Sequence, residues 1–290
     1  MGRKVTFYTP GMFTIHGRTG RYPGVSLTGS RCDLMCDHCK GTLLRAIPDC
    51  STPEKLVEFA KKAHERKDYG MLLSGGLNTS GRADWAVFRD AIKEIKDTTD
   101  LYISAHVGFP TDQDIKNLKE AGIDQTLIDV IGDDLVAQRV YKIQPGVARD
   151  SAIRLLESGL RVAPHILIGL NEGSLSGEMD AVSLISNYDV DKVVFIVLRP
   201  TAGTPMENVL PPSPSEVAEV ISYARNKLPD RIINLGCVRP AGYHKKELDI
   251  LAIKAGVDGI AIPAPETIQA AKDLGIDFVE YPICCSMAFV

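Results

Sequence analysis

Val193-Val194-Phe195-Ile196-Val197-Leu198 is an uninterrupted apolar run, too short for an ordinary helix and without the polar alternation of a half-exposed strand. Such a block is expected of a parallel strand covered on both faces. Outward from it, similar blocks recur at 24–28, 70–74, 101–106, 126–131, 161–168, 192–198, 231–235 and 258–262. Amphipathic helical patterns separate them, over 53–66, 84–96, 111–121, 146–157, 175–187, 213–227, 244–254 and 264–274. Thr52-Pro53-Glu54 reads as a helix start, because Thr caps the first turn and Pro suits its first position. Gly122, Gly159, Gly256 and Gly275 follow helical patterns where a left-handed cap returns the chain to the next strand. Strand–helix units repeated in this way predict an α/β protein. A parallel (β/α)8 TIM-type barrel is the natural closure, with a six-unit open barrel plus an appended pair as the other arrangement.

The chain has 290 residues, 33 Lys+Arg against 37 Asp+Glu, and 44% hydrophobic residues. It is too apolar for disorder, and its net charge of −4 gives no bulk field for nucleic acid or a membrane surface. No apolar run approaches the roughly 20 residues that span a bilayer. The N-terminal MGRKVTFYTPGMF has basic residues but no apolar block behind them, so a cytoplasmic protein is expected. Nothing divides the chain, since Leu210-Pro211-Pro212-Ser213-Pro214 falls between a strand and its helix. One domain over 1–290 is expected, with an N-terminal extension over 1–22 and a tail over 276–290.

Seven cysteines, an odd number without an export signal, argue against a disulfide framework. Cys32-Asp33-Leu34-Met35-Cys36-Asp37-His38-Cys39 places a CxxxCxxC array directly after the first strand. Three thiolates on one loop suit three corners of an iron–sulfur cluster, with the fourth iron open. Structural zinc needs four closed ligands, and His38, squeezed between Cys36 and Cys39, is the remaining candidate. Cys50 reads as a free thiol. Cys237 ends the seventh strand, and alternation puts it with Arg239 on one side, the lumen. Cys284 and Cys285 sit in the tail. The extended 276–283 covers roughly 25 Å at about 3.3 Å per residue, enough to return from the bottom of a barrel to its mouth. Two thiols delivered there, beside Cys237, suggest a second cluster; a small buried Cys237 and a frayed tail are the alternative.

The CxxxCxxC array resembles the radical S-adenosylmethionine enzymes, in which an aromatic residue usually precedes the third cysteine; His38 fills that place. The resemblance implies a 4Fe–4S cluster on Cys32, Cys36 and Cys39, with the methionine amine and carboxylate of S-adenosylmethionine on the fourth iron. Reductive cleavage would then give a 5′-deoxyadenosyl radical that abstracts hydrogen. Ser74-Gly75-Gly76 stands where the family has a Gly-Gly-Glu stretch receiving the methionine amine, with Leu77 in place of the Glu. Ser104 and His106 stand where the family reads the ribose hydroxyls. Ile168, in Ile166-Leu167-Ile168-Gly169, stands beside the adenine. Arg139 or Arg149 would pair with the carboxylate, and Arg199 would complete the adenosine pocket.

A full barrel with further cysteines is similar to the sulfur-inserting group, biotin synthase and lipoyl synthase, whose auxiliary cluster donates sulfur. Pro10-Gly11-Met12-Phe13, Ser74-Gly75-Gly76, Asp129-Val130-Ile131-Gly132-Asp133-Asp134, Leu235-Gly236-Cys237-Val238-Arg239-Pro240 and Cys284-Cys285-Ser286 resemble biotin-synthase-related proteins that form a two-protein lipoyl synthase. With no cysteine before Cys32, the chain departs from the ordinary lipoyl synthase. The resemblance implies a second 4Fe–4S cluster on Cys237, Cys284 and Cys285; its fourth ligand stays open among Arg239, Ser286, Cys50 and a substrate or exogenous sulfur. It also implies an octanoylated carrier domain (a lipoyl domain or glycine-cleavage H-type protein), a second radical protein and a low-potential donor such as ferredoxin. Two other readings stay open: another radical reaction with a cluster that is not consumed, and a non-enzymatic iron–sulfur carrier.

Overall fold

The computed structural model describes residues 4–15 and 17–287. The chain begins with β1 (Lys4–Tyr8) and a small antiparallel hairpin of β2 (Thr14–Ile15) and β3 (Arg18–Thr19). The eight expected strands follow as β4 (Gly24–Ser26), β5 (Gly70–Ser74), β6 (Tyr102–His106), β7 (Gln125–Asp129), β8 (Val162–Ile168), β9 (Lys192–Val197), β10 (Ile232–Leu235) and β11 (Gly259–Ala261); β12 (Asp277–Tyr281) comes last. All ladders of the large sheet are parallel, in the order β12-β1-β11-β10-β9-β8-β7-β6-β5-β4. The architecture is the expected α/β, TIM-like one.

Its ends differ from a closed eight-stranded ring. β1 and β12 extend the sheet beyond β11, and β4 and β12 are its edges, so the sheet curls without a ladder joining them among the described residues. Residues 1–22 are therefore not wholly peripheral. β1 lies between β11 and β12, with Val5 and Phe7 fully or nearly buried on the helix-covered side.

Helices cover the outer face: α1 (Pro53–Glu65), α2 (Trp85–Thr98), α3 (Asp112–Ala121), α4 (Asp134–Tyr141), α5 (Val147–Leu156), α6 (Glu178–Ile185), α7 (Pro214–Lys227), α8 (Gly242–Ala255) and α9 (Pro265–Asp273). The Thr52 side chain accepts from the Lys55 N–H, as the start of α1 requires. Among the described residues no helix is long and apolar enough to cross a membrane. The two-residue period of the strands sorts side chains between two cores. From β9, Val193, Phe195 and Val197 pack under the helices, while Val194 and Ile196 face inward against Tyr8, Tyr22 and Ala261. Each large side chain buried in this way contributes about 1.5–3 kcal/mol.

Candidate active site

The cysteine loop is tied to the end of β5 by main-chain contacts. The Thr28 hydroxyl donates to the Arg31 carbonyl at 2.7 Å and accepts from the Gly76 N–H at 2.6 Å. The N–H groups of Asp33 and Leu34 both donate to the Leu77 carbonyl, each at 2.9 Å. A Cβ on Gly76 would lie 1.9 Å from the Arg31 oxygen and 2.5 Å from the Cys32 Cα, so only glycine fits. At Gly75 the nearest atoms stand 3.4 Å away, an ordinary contact. The Gly-Gly pair is thus explained first by the approach of the cysteine loop. Met35 and Lys40 hold positive φ of 49° and 44°, conformations that non-glycine residues seldom adopt and that bend the loop around its thiols.

Cys36 is buried and Cys32 and Cys39 are half-buried, packed with Leu34, Phe109, Ile131, Tyr141, Leu167 and Met206. Hydrogen bonding from Cys36, and then from His38, holds the Cys39 thiol down to about 4, while its contact with Cys39 and burial push Cys36 up. Burial opposes protonation of His38, yet the Cys39 thiolate outweighs it and raises the imidazole pKa. The His38 ring lies 5.3 Å from Tyr141, and its Nδ1 has no partner among the described residues. No three His, Cys, Asp or Glu side chains among the described residues converge on a single metal ion. A cluster instead places each thiolate on a separate iron, and three thiols in a largely apolar shell fit that requirement.

Beside the loop, Ser74, Gly75, Gly76 and His106 line a cavity of about 180 Å³ together with Thr28 and Trp85. The expected pairing of Ser104 with His106 does not persist at this cavity. Ser104 is fully buried and accepts from the Tyr22 hydroxyl at 2.6 Å, so its oxygen is committed to the packing of the inner face. Ile168 also needs correction: it packs under the helices, and alternation turns Leu167 toward the cysteine loop instead. Arg139 is on the exposed side of α4, donating to Asn171 at 2.5 Å, and Arg149 and Arg199 are exposed. Asp129 was read only as part of the 129–134 motif and not as a site residue. It shares the inner face with Gln125, receives the Tyr141 hydroxyl at 3.1 Å on one oxygen, and keeps its other oxygen buried without a partner among the described residues. A lone acid ending an apolar strand was the available signal. His165 packs 5.2 Å from His106, and burial, with His106 adding, pushes it down to about 4.

The tail does return along the sheet as β12, but it then turns inward rather than covering the mouth. Ile283, Cys285 and Met287 are buried in the inner core with Tyr8 and Tyr22, and Cys237 and Cys284 pack against the same cluster. Cys284 Sγ stands 3.0 Å from the Ser286 hydroxyl. Contact with Cys285, and then the Ser286 hydroxyl, holds Cys284 down to about 6, while burial raises Cys237 to about 11. Arg239 does not join this group. The strand pattern ends at Leu235, and the buried guanidinium is spent on Asp249 at 2.8 and 3.1 Å and on the carbonyls of Gly236 and Ile262. Cys50 is buried in the helix-side core, away from both groups. Residues 288–290 of the expected tail lie outside the described residues.

No family model matches the chain. Biotin synthase of Clostridium acetobutylicum is 27% identical over 222 residues, covering 72% of this chain and 64% of that protein, somewhat under two thirds of its length. Biotin synthase of Halalkalibacterium halodurans is 25% identical over 264 residues, 85% of this chain and 77% of that protein. Among solved structures, methylornithine synthase matches with a TM-score of 0.61 at 15% identity, covering 95% of this chain and 84% of that one. The FeFe-hydrogenase maturase HydG from Carboxydothermus hydrogenoformans matches with a TM-score of 0.62 at 14% identity, covering 95% and 67%. At such identities the structural likeness shows the fold alone. In sequence, the chain is thus similar to biotin synthases over most of its length, at 25–27% identity.

Proposed function

We propose that this biotin-synthase-like chain inserts sulfur at unactivated carbon, as a lipoyl-synthase subunit acting on octanoyl-lysine of a carrier protein. The observation that carries the reading is the presence of two separate thiol groups: Cys32, Cys36 and Cys39 on the loop after β4, and Cys237, Cys284 and Cys285 within the curl. The relatives support the same class of chemistry, since they are biotin synthases.

A 4Fe–4S cluster on the first thiols would supply the electron that cleaves S-adenosylmethionine, and a second cluster would supply sulfide. The chain's own residues supply position and shielding. Gly76 lets the loop lie against β5, so that Cys32 is fixed relative to the cavity at Ser74 and His106. Leu34, Phe109, Leu167 and Met206 exclude water from the thiols, and a dry site protects a radical from quenching. The partnerless oxygen of Asp129 is a buried acceptor for a hydroxyl of a bound nucleotide.

Anaerobic reconstitution and iron counting test the scheme. About eight irons per chain are expected for two cubane clusters, falling to about four in Cys237→Ala. An unchanged count in that variant would remove Cys237 from the second site. Incubation with an octanoylated carrier domain, a low-potential donor and a partner radical protein should give new C–S bonds with loss of cluster sulfide. S-adenosylmethionine cleavage with a rearranged or cyclised product and intact sulfide would instead select a radical reaction whose second cluster is not consumed.

A further inference from the structure

Gln125 at the start of β7, Lys192 at the start of β9 and Asn234 in β10 are among the least accessible polar side chains of the molecule, at 1%, 0% and 0% exposure. None has a place in the chemistry above. Each donates to the backbone of the tail: Asn234 Nδ2 to the Cys285 carbonyl at 2.7 Å, Gln125 Nε2 to the Ser286 carbonyl at 2.8 Å, and Lys192 Nζ to the Met287 carbonyl. A longer contact of 3.5 Å joins Lys192 to the Cys285 carbonyl. Three donors from three strands thus meet three successive carbonyls. We propose that Gln125, Lys192 and Asn234 form a clamp that fixes the C-terminal segment inside the curl and so positions Cys284 and Cys285 alongside Cys237.

Lys192 is the strongest argument. Burying an ammonium costs several kcal/mol unless it is compensated. No carboxylate pairs with Lys192 among the described residues, because Asp191 and Asp258, its nearest acids in charge interaction, bind Arg161 at 3.1 Å and Arg225 respectively. Its compensation comes from tail carbonyls, with the Cys284 and Cys285 sulfurs nearby. The approach to the clamp is held as well. The Thr9 N–H donates to the Tyr281 carbonyl at 2.9 Å, the Arg21 N–H donates to the Pro282 carbonyl, and a turn closes from the Met287 N–H to the Cys284 carbonyl at 3.2 Å. The role of the thiols rests on the sulfur-insertion reading; the clamp itself does not.

Hydrogen exchange on the full-length protein separates the two. Lys192→Met removes the charge at similar length, and Asn234→Leu removes a different donor should the first variant fold poorly. With iron chelated, amide exchange over 283–287 is expected to speed up about tenfold in either variant, the factor that one buried hydrogen bond supplies. Exchange over 32–39 should stay unchanged. Iron per chain in the reconstituted variants should fall from about eight toward about four. Tail exchange within twofold of the parent in both variants would overturn the clamp. Faster exchange in the variants, with a parent that never holds more than about four irons, would keep the clamp and refute the second cluster.

Discussion

The fine geometry of the cysteine loop depends on a single missing Cβ. Gly76 faces the Arg31 oxygen and Cys32 Cα at distances no Cβ can occupy, whereas Gly75 has ordinary clearance. Gly76→Ala should therefore displace the loop, with the 1–3 kcal/mol cost typical of overpacking and a loss of iron from the first site, while Gly75→Ala retains both stability and iron. Unfolding midpoints and iron counts on the pair check this, and equal behaviour of the two variants would refute it. The glycine pair was legible in the sequence; its cause was not, because the clash is with a loop 44 residues away in the chain. The same limit applies at Ser104 and Ile168. The resemblance could not reveal that the Tyr22 hydroxyl donates to Ser104. A resemblance over 166–169 does not fix which residue faces the cysteine loop, because adjacent strand residues face opposite sides.

At the scale of single elements, local chemistry explains where helices begin. The Thr111 side chain accepts from the Asp114 N–H, and the Asp114 carboxylate accepts from the Thr111 N–H at 2.8 Å, a reciprocal cap for α3. Arg82 adds two bonds to the same carboxylate, at 2.8 and 2.9 Å. Burial works against ionisation there, but Arg82 and Thr111 outweigh it and hold the Asp114 pKa below its usual value. A lowered folded pKa gives stability that is present above the unfolded value, about 3.9, and lost as pH falls through the folded one. Asp114→Asn should thus cost about 1–3 kcal/mol near neutrality, and the gap to the parent should shrink below about pH 4. Denaturant titrations at pH 7 and pH 3 measure it; a gap independent of pH would place the loss in shape and not in charge. The eight strands from β4 to β11 were readable as apolar blocks. β1 was not, since Lys4-Val5-Thr6-Phe7-Tyr8 is short and mixed, and its place between β11 and β12 depends on pairing across the whole chain.

At the scale of the molecule, an eight-stranded parallel ring normally fills its centre with side chains from its own strands. Here, among the described residues, the sheet has ten strands, no ladder joins β4 to β12, and the segment after β12 fills part of its interior. A lid and a plug make opposite predictions for truncation after Pro282. Removing a lid leaves the core intact. Removing this segment takes Ile283, Cys285 and Met287, all 3% exposed or less, out of the inner core and leaves Gln125, Lys192 and Asn234 without their carbonyl partners. Loss of one large buried side chain alone costs about 2–5 kcal/mol, and water entering the space will satisfy the stranded donors in part. The truncated protein should therefore unfold at clearly lower urea concentration, yet still bind about four irons at Cys32, Cys36 and Cys39, because that loop is anchored to β5 rather than to the tail. Full stability after truncation would return the segment to the role of a lid, and loss of all iron would mean that the two thiol groups form one structural unit.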